Sequence, residues 1–245
     1  MKNVCITKSY INNNFKNHII FICDHANNKI PAKYKGLGLA RSELESHIAF
    51  DLGAKNFVIE LTKKLRQSYV FSNFSRLIID PNRSKSSNDL IVQDSFGTKI
   101  LGNKNIDKKE KNYRIEIFYD KYHFELSEFV KKKKRIYEKV FLISIHSFTK
   151  ESKKFDRGIE VGLLWNKNMN LLLPIQRELK FKNIYFGRNF PYSGFHFNYT
   201  LDRLYDNFLL DSILIEIRND LICYKKGITK YVDIFSKIFN ESLNG

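Results

Sequence analysis

An α/β fold, a three-layer sandwich around a mostly parallel or mixed central sheet, is predicted by three features of this 245-residue chain. Segments 18–26 (HIIFICDHA), 140–148 (VFLISIHSF) and 212–220 (SILIEIRND) each carry a run of mostly apolar, β-rich residues. Such runs read as strands buried on both faces of a parallel sheet. Strand-like and helix-like stretches alternate along the chain, the pattern of layered α/β folds. No Ser/Gly/Pro-rich linker divides it, so one domain over 1–245 is expected.

In chain order, a strand at 18–23 leads into the loop 24–38, DHANNKIPAKYKGLG, whose Asn, Pro and Gly residues form turns. Ser42 and Glu45 match a capping box, so a helix should begin there. Gly53 breaks or bends it before a second helical stretch over 54–67. Strands follow at 69–71 and 77–79. The polar segment 84–111 has little periodicity and reads as a long excursion near the site. A helix at 113–134 precedes the strand that ends at His146. Further strands are expected at 158–165, 183–187 and 212–217, with helices at 169–180 and 226–241.

Composition narrows the function classes. A hydrophobic fraction of 43% supports a sizeable core, and no apolar run approaches the roughly 18 residues of a membrane span. The start, MKNVCITKSYINNN, lacks the long apolar core of a signal peptide. Cys5, Cys23 and Cys223 are odd in number and widely spaced, which suits a reducing cytoplasm and argues against disulfides or a thiolate zinc site. The net charge of +16 invites a polyanion-binding reading. Its lysines are scattered, however, and the richness in Asn, Ile and Phe matches the codon bias of an AT-rich genome. The densest run, 131–135, follows an amphipathic stretch over 114–130 and reads as a solvated helix end, where cations favour the dipole. Neither nucleic acid nor membrane is expected as a partner; a small anionic substrate would be attracted by the basic surface.

Three strands ending on or around reactive groups would bring His25, His146 and Glu216 to one sheet edge, outside the carboxyl ends of the strands. Two imidazoles and a carboxylate are what a catalytic zinc hydrolase needs. Taken singly, each histidine could equally be a satisfied hydrogen-bonding residue. Glu216 could instead pair with Arg218, since strand alternation puts both on one face; its apolar ILIEI setting should raise its pKa. Asp51, one helical turn after His47 in HIAFDLGA, could cap the following helix, orient a histidine or bind metal.

CDHANNKIP, HIAFDLGA, SRLIIDPNR, IHSF, NFPYSG and IEIRNDL, in that order across residues 23–222, resemble the successive motifs of the N-formylglutamate amidohydrolase family. That family is similar in fold to zinc carboxypeptidases and aspartoacylases, a phosphorylase/hydrolase-like architecture. The resemblance implies one zinc ion held by His25, His146 and a third ligand. Related enzymes carry a glutamate three residues after the first histidine; here that position is Asn28, a poor zinc ligand, and Asp51 is the best replacement. His47 and His123 are reserves, and Asp80 braces its loop. By the same resemblance Glu216 is the general base and Arg76 stabilises the oxyanion. Asn82 and Arg83 would hold a substrate carboxylate, Arg through its planar fork, although Pro81 and Asn82 are also simple turn formers. Arg157, Arg188, Tyr192 and Arg218 are further candidates for substrate contact. The implied reaction is hydrolysis of N-formyl-L-glutamate to formate and L-glutamate. A different acyl amino acid or small peptide, or a non-catalytic basic binding protein on the same fold, are the alternatives.

Overall fold

Alternation along the central strands builds the layers. In β2 (Asn17–Cys23), Ile19, Phe21 and Cys23 point to one face and Ile20 and Ile22 to the other, and all five are buried. With apolar side chains on both sides, β2 needs cover on both faces, and the computed structural model supplies it. It describes residues 3–11, 16–151 and 156–243.

The strands are β1 (Cys5–Lys8), β2, β3 (Ser68–Ser72), a small hairpin of β4 (Asp94–Ser95) and β5 (Thr98–Lys99), β6 (Lys139–Phe148), β7 (Val161–Leu164), β8 (Phe186–Arg188) and β9 (Ser212–Arg218). Among the described residues the main sheet has seven strands in the order β1-β3-β2-β6-β9-β7-β8. Its centre, β3-β2-β6-β9, is parallel; β1 and β7 run antiparallel to β3 and β9, and β8 is parallel to β7. The helices are α1 (Arg41–Leu44), α2 (Ala54–Leu65), α3 (Lys108–Arg114), α4 (Lys121–Lys134), α5 (Leu172–Phe181), α6 (Gly194–Phe197), α7 (Tyr199–Phe208) and α8 (Lys225–Leu243). On one face α2, α5 and α8 pack Phe57, Leu61, Ile175 and Phe235 against Phe21, Ile143 and Ile215. On the other, α4 and α7 pack Tyr122, Leu126 and Leu204 against Ile22, Leu142 and Leu214. This is a mixed α/β sandwich of three layers.

Several local expectations change. Residues 77–79 form no strand; 76–78 turn tightly, and Leu77, Ile78 and Ile79 are buried apolar residues of a loop. Helix α1 starts before Ser42, with Ala40 at its N-cap, and it is Glu43 that accepts the Ala40 N–H at 2.7 Å. Residues 45–53 are turns, so His47 and Asp51 do not share a helix. Asp107 caps α3 by accepting the Glu110 N–H at 2.7 Å, so the expected helix at 113–134 begins earlier and passes through a π segment, Ile115–Asp120, into α4. Within the run 131–135, Lys133 is buried and donates to the Tyr10 carbonyl, while its neighbours are exposed. Strand β6 continues past His146 to Phe148. The short β1 and helix α7 carried no clear sequence signal. No helix among the described residues is long and apolar enough to cross a membrane.

Candidate metal centre and its cavity

Parallel strands β2, β6 and β9 end at the same edge, and the register there aligns His146 with Glu216. Both side chains lie on the α4/α7 face. Antiparallel β7 places Gly162 opposite Glu216. A Cβ on Gly162 would stand 2.6 Å from the Phe190 carbonyl and 3.2 Å from the Glu216 Cβ, so only glycine admits this approach. Asp51 arrives from the turn before α2, anchored where its N–H donates to the His25 carbonyl at 2.9 Å. Gly53 shapes that turn with φ +80°, and a Cβ there would lie 2.3 Å from the Ile222 carbonyl.

The three groups present one buried cluster of donor atoms. His146 Nδ1 stands 2.8 Å from Asp51 Oδ2 and 3.2 Å from His25 Nδ1, and His25 Nδ1 stands 3.4 Å from Asp51 Oδ2. A tetrahedral zinc ion with bonds of about 2.0–2.1 Å separates its ligand atoms by about 3.3–3.4 Å. The two separations from His25 match that spacing, the 2.8 Å between His146 and Asp51 is shorter, and the N, N, O donor set is one that could hold such an ion. Asn28 is not part of the cluster; its amide donates to the Leu44 carbonyl at 2.9 Å.

Each imidazole has a carboxylate behind it. His25 Nε2 lies 2.8 Å from Asp80 Oδ1, and His146 Nε2 lies 3.1 Å from Ser144 Oγ and 3.6 Å from Asp24 Oδ2. Burial alone would lower the His146 pKa, but Asp24 and Asp51 outweigh it and push it up to about 10. Burial would likewise raise the Asp51 carboxyl, yet His25 and His146 hold it well below the usual range. So much negative charge around the imidazoles favours a cation at this spot. Asp80, where His25, Arg76 and Arg83 overcome burial, is also strongly acidic.

Glu216 faces the same space. It is 7% exposed, and its Oε2 has no hydrogen-bond partner among the described residues. Burial pushes its pKa up to about 7, against the pull of His146 and with the push of Asp51. The expected alternative, a pair with Arg218, does not form: Arg218 forks onto Asp220 at 2.7 and 3.2 Å and does not line the cavity.

The cavity, about 170 Å³, also meets Arg76, Asn82, Arg83, Phe96, Tyr192 and Phe197. Arg76 Nη2 donates to Asp80 at 2.7 Å, and its Nη1 lies 3.3 Å from His25 Nδ1. Arg83 is braced through Nε on Asp89 at 2.7 Å and through Nη1 on the Asn82 carbonyl at 2.9 Å, with its guanidinium over the Phe197 ring. Asn82 lines the cavity and also ties down its wall. Its Nδ2 donates to the Phe197 carbonyl at 2.9 Å and its Oδ1 accepts from the Thr200 N–H at 3.0 Å, which holds α6 and α7 against the cavity. Arg157 is buried behind Tyr192, 5.0 Å from that ring, and donates to the Thr149 carbonyl at 2.9 Å. Arg188 stacks on Trp165. His123 lies 3.0 Å from the Pro81 carbonyl, away from the cluster, and His47 packs edge-on to Phe96, the hairpin residue at the cavity. Asp24, Tyr122, Phe96 and Phe197 are not among the candidates that the sequence singles out. Only Asp24, a carboxylate adjoining His25 in CDHA, carried a usable signal.

Comparison with known proteins agrees with this architecture. The family model for N-formylglutamate amidohydrolase matches residues 17–223. The chain belongs to the N-formylglutamate amidohydrolase family. A gene product of Agrobacterium tumefaciens of known crystal structure is 28% identical, with a TM-score of 0.91 over 98% of this chain and 95% of that one. The N-formylglutamate amidohydrolase of Ralstonia eutropha JMP134 shares the fold at 16% identity, with a TM-score of 0.73 over 96% of this chain and 95% of that one. Among curated proteins no match was found.

Proposed function

We propose that this family member hydrolyses the amide bond of a small N-acyl amino acid with one divalent metal ion, its substrate being N-formyl-L-glutamate and its products formate and L-glutamate. One observation carries the reading. The His25, Asp51 and His146 donor cluster, the Glu216 carboxylate, whose Oε2 has no hydrogen-bond partner among the described residues, and the guanidinium groups of Arg76 and Arg83 all face one cavity of about 170 Å³. Sites for drug-sized ligands run to roughly 300–1,000 Å³, so the volume favours a small metabolite over a peptide.

Zinc held by His25 Nδ1, His146 Nδ1 and Asp51 would supply Lewis-acid polarisation of the acyl carbonyl and activation of the attacking water. Glu216 accepts a proton from that water and delivers it to the departing nitrogen. A carboxyl raised toward neutrality is suited to both transfers. Arg76, held beside the cluster by Asp80, directs N–H groups at the oxygen that becomes negative. Arg83, fixed through Nε and Nη1, offers Nη2 to the α-carboxylate. Tyr192, which lines the cavity with Arg157 behind its ring, would contact the second carboxylate. Asn82 acts through position, by seating α6 and α7 against this wall.

The test is a zinc-loaded preparation assayed for formate release from N-formyl-L-glutamate and from its α-amide. The free acid should be the much better substrate. Equal hydrolysis of the two would refute the carboxylate site, and turnover of other acyl amino acids alone would refute the substrate.

A further inference from the structure

We propose that Asp24 is a positioning residue that holds His146 in the tautomer able to bind the metal, with Tyr122 in turn holding Asp24. The inference rests on the metal centre proposed above. Asp24 follows β2 and continues its alternation, so it shares the face of Ile20 and Ile22, against α4. It is fully buried. Its Oδ1 accepts from the Tyr122 hydroxyl at 2.6 Å. Its Oδ2 has no hydrogen-bond partner among the described residues and stands 3.6 Å from His146 Nε2.

For Nδ1 of His146 to offer a lone pair, the ring proton must sit on Nε2, so the group facing Nε2 must accept. Two groups face it, Ser144 Oγ at 3.1 Å and Asp24 Oδ2 at 3.6 Å. A hydroxyl donates as readily as it accepts and cannot select a tautomer. An ionised carboxylate only accepts. Asp24 therefore decides where the proton goes, as Asp80 does for His25 at 2.8 Å. A buried carboxylate oxygen left without a close donor is unfavourable in itself, which fits a group held for the site and not for the core.

Asp24→Asn tests this with little change of shape. Tyr122 can still donate to the amide oxygen, while the amide N–H₂ faces Nε2 and drives the ring proton onto Nδ1. Zinc affinity, measured by competition with a chromophoric chelator, should weaken roughly 10–100-fold, the usual effect of losing such a partner. The metal-free protein should melt somewhat lower, because the Tyr122 bond to a charged acceptor and the attraction between Asp24 and His146 are both weakened, and the rise in melting temperature on adding zinc should shrink along with the affinity. Ser144→Ala should keep zinc affinity well above that of Asp24→Asn. Unchanged zinc affinity in Asp24→Asn overturns the proposal. So does a zinc-induced rise in melting temperature as large as that of the wild type, which makes Asp24 merely structural, and so does an equal loss in Ser144→Ala. If Asp24→Asn does not fold, the zinc-loaded wild type decides by NMR: the His146 Nε2 proton should lie far downfield, bonded to a carboxylate, and an ordinary imidazole position overturns the assignment. A wild type that binds no zinc removes the metal centre and this inference together; a wild type that binds zinc no better than Asp24→Asn removes the inference alone.

Discussion

Replacing Glu216 by Gln separates chemistry from stability, because the two should move in opposite directions. The side chain is 7% exposed and its Oε2 has no hydrogen-bond partner among the described residues, and the amide, being nearly the same size, fits the same space. Burial raises the carboxyl from its ordinary 4.5 to about 7 in the folded protein. A group whose folded pKa lies above its unfolded value contributes stability that is full below 4.5 and lost as pH rises through about 7. Above that window the ionised, buried carboxylate destabilises the metal-free fold by at most about 3 kcal/mol. Metal-free Glu216→Gln should therefore resist urea better than the wild type at pH 8, and the gap should shrink toward pH 5. With zinc bound the gain should be smaller, since a cation favours the ionised carboxylate. Activity should fall in the same variant. Loss of a general acid–base group lowers kcat by about 10²-fold or more, a barrier increase of about 3 kcal/mol. Urea unfolding at the two pH values, zinc content and kcat on N-formyl-L-glutamate measure all three. A variant that keeps its zinc and turns over at nearly the wild-type rate would sink the general-base role. One less stable than wild type at pH 8 would sink the electrostatic argument.

Other perturbations probe the remaining parts. His25→Ala and His146→Ala should each lose most of their zinc and their activity together, by metal analysis of dialysed protein; full zinc content in both removes them from the metal centre. Arg83→Lys should raise KM for N-formyl-L-glutamate with zinc content unchanged, because lysine keeps the charge and loses the planar fork that is braced through Nε and Nη1; an unchanged KM argues against the clamp. Arg218→Ala should leave kcat/KM near wild type and lower stability by no more than about 1 kcal/mol, the usual scale of a partly exposed pair. A large loss of turnover there would restore the substrate role expected from its sequence motif.

Pattern legibility differed sharply between the sheet and the loops. Segments such as FICDHA and LIEIR announce buried parallel strands through composition alone, since a strand covered on both faces tolerates few polar residues. The edge strand β1, with its sequence CITK, has no such constraint and passed unnoticed. Leu77–Ile78–Ile79 mimics a strand because a buried loop also needs apolar side chains, while periodicity reports burial and not backbone geometry. Helix α7 has a polar outer face and a short apolar stripe of Leu201 and Leu204, too little to stand out beside its neighbours.

By itself the sequence determined the three-layer α/β class, the family, and the meeting of His25, His146 and Glu216, because strands that run parallel must end at a common edge. Tertiary structure alone decided which remaining candidates reach that edge. Asp51 joins through a turn pinned to the His25 carbonyl, not through a helix shared with His47. Arg218 turns to Asp220, and Asn82 reaches the cavity while tied to the backbone of α6 and α7. Asp24 enters from behind His146, with Tyr122 from a helix 98 residues farther along holding it in place. Residue type and strand alternation constrain which way a side chain leaves the backbone; what it meets there depends on loops and helices packed from distant parts of the chain, and no local pattern encodes that contact.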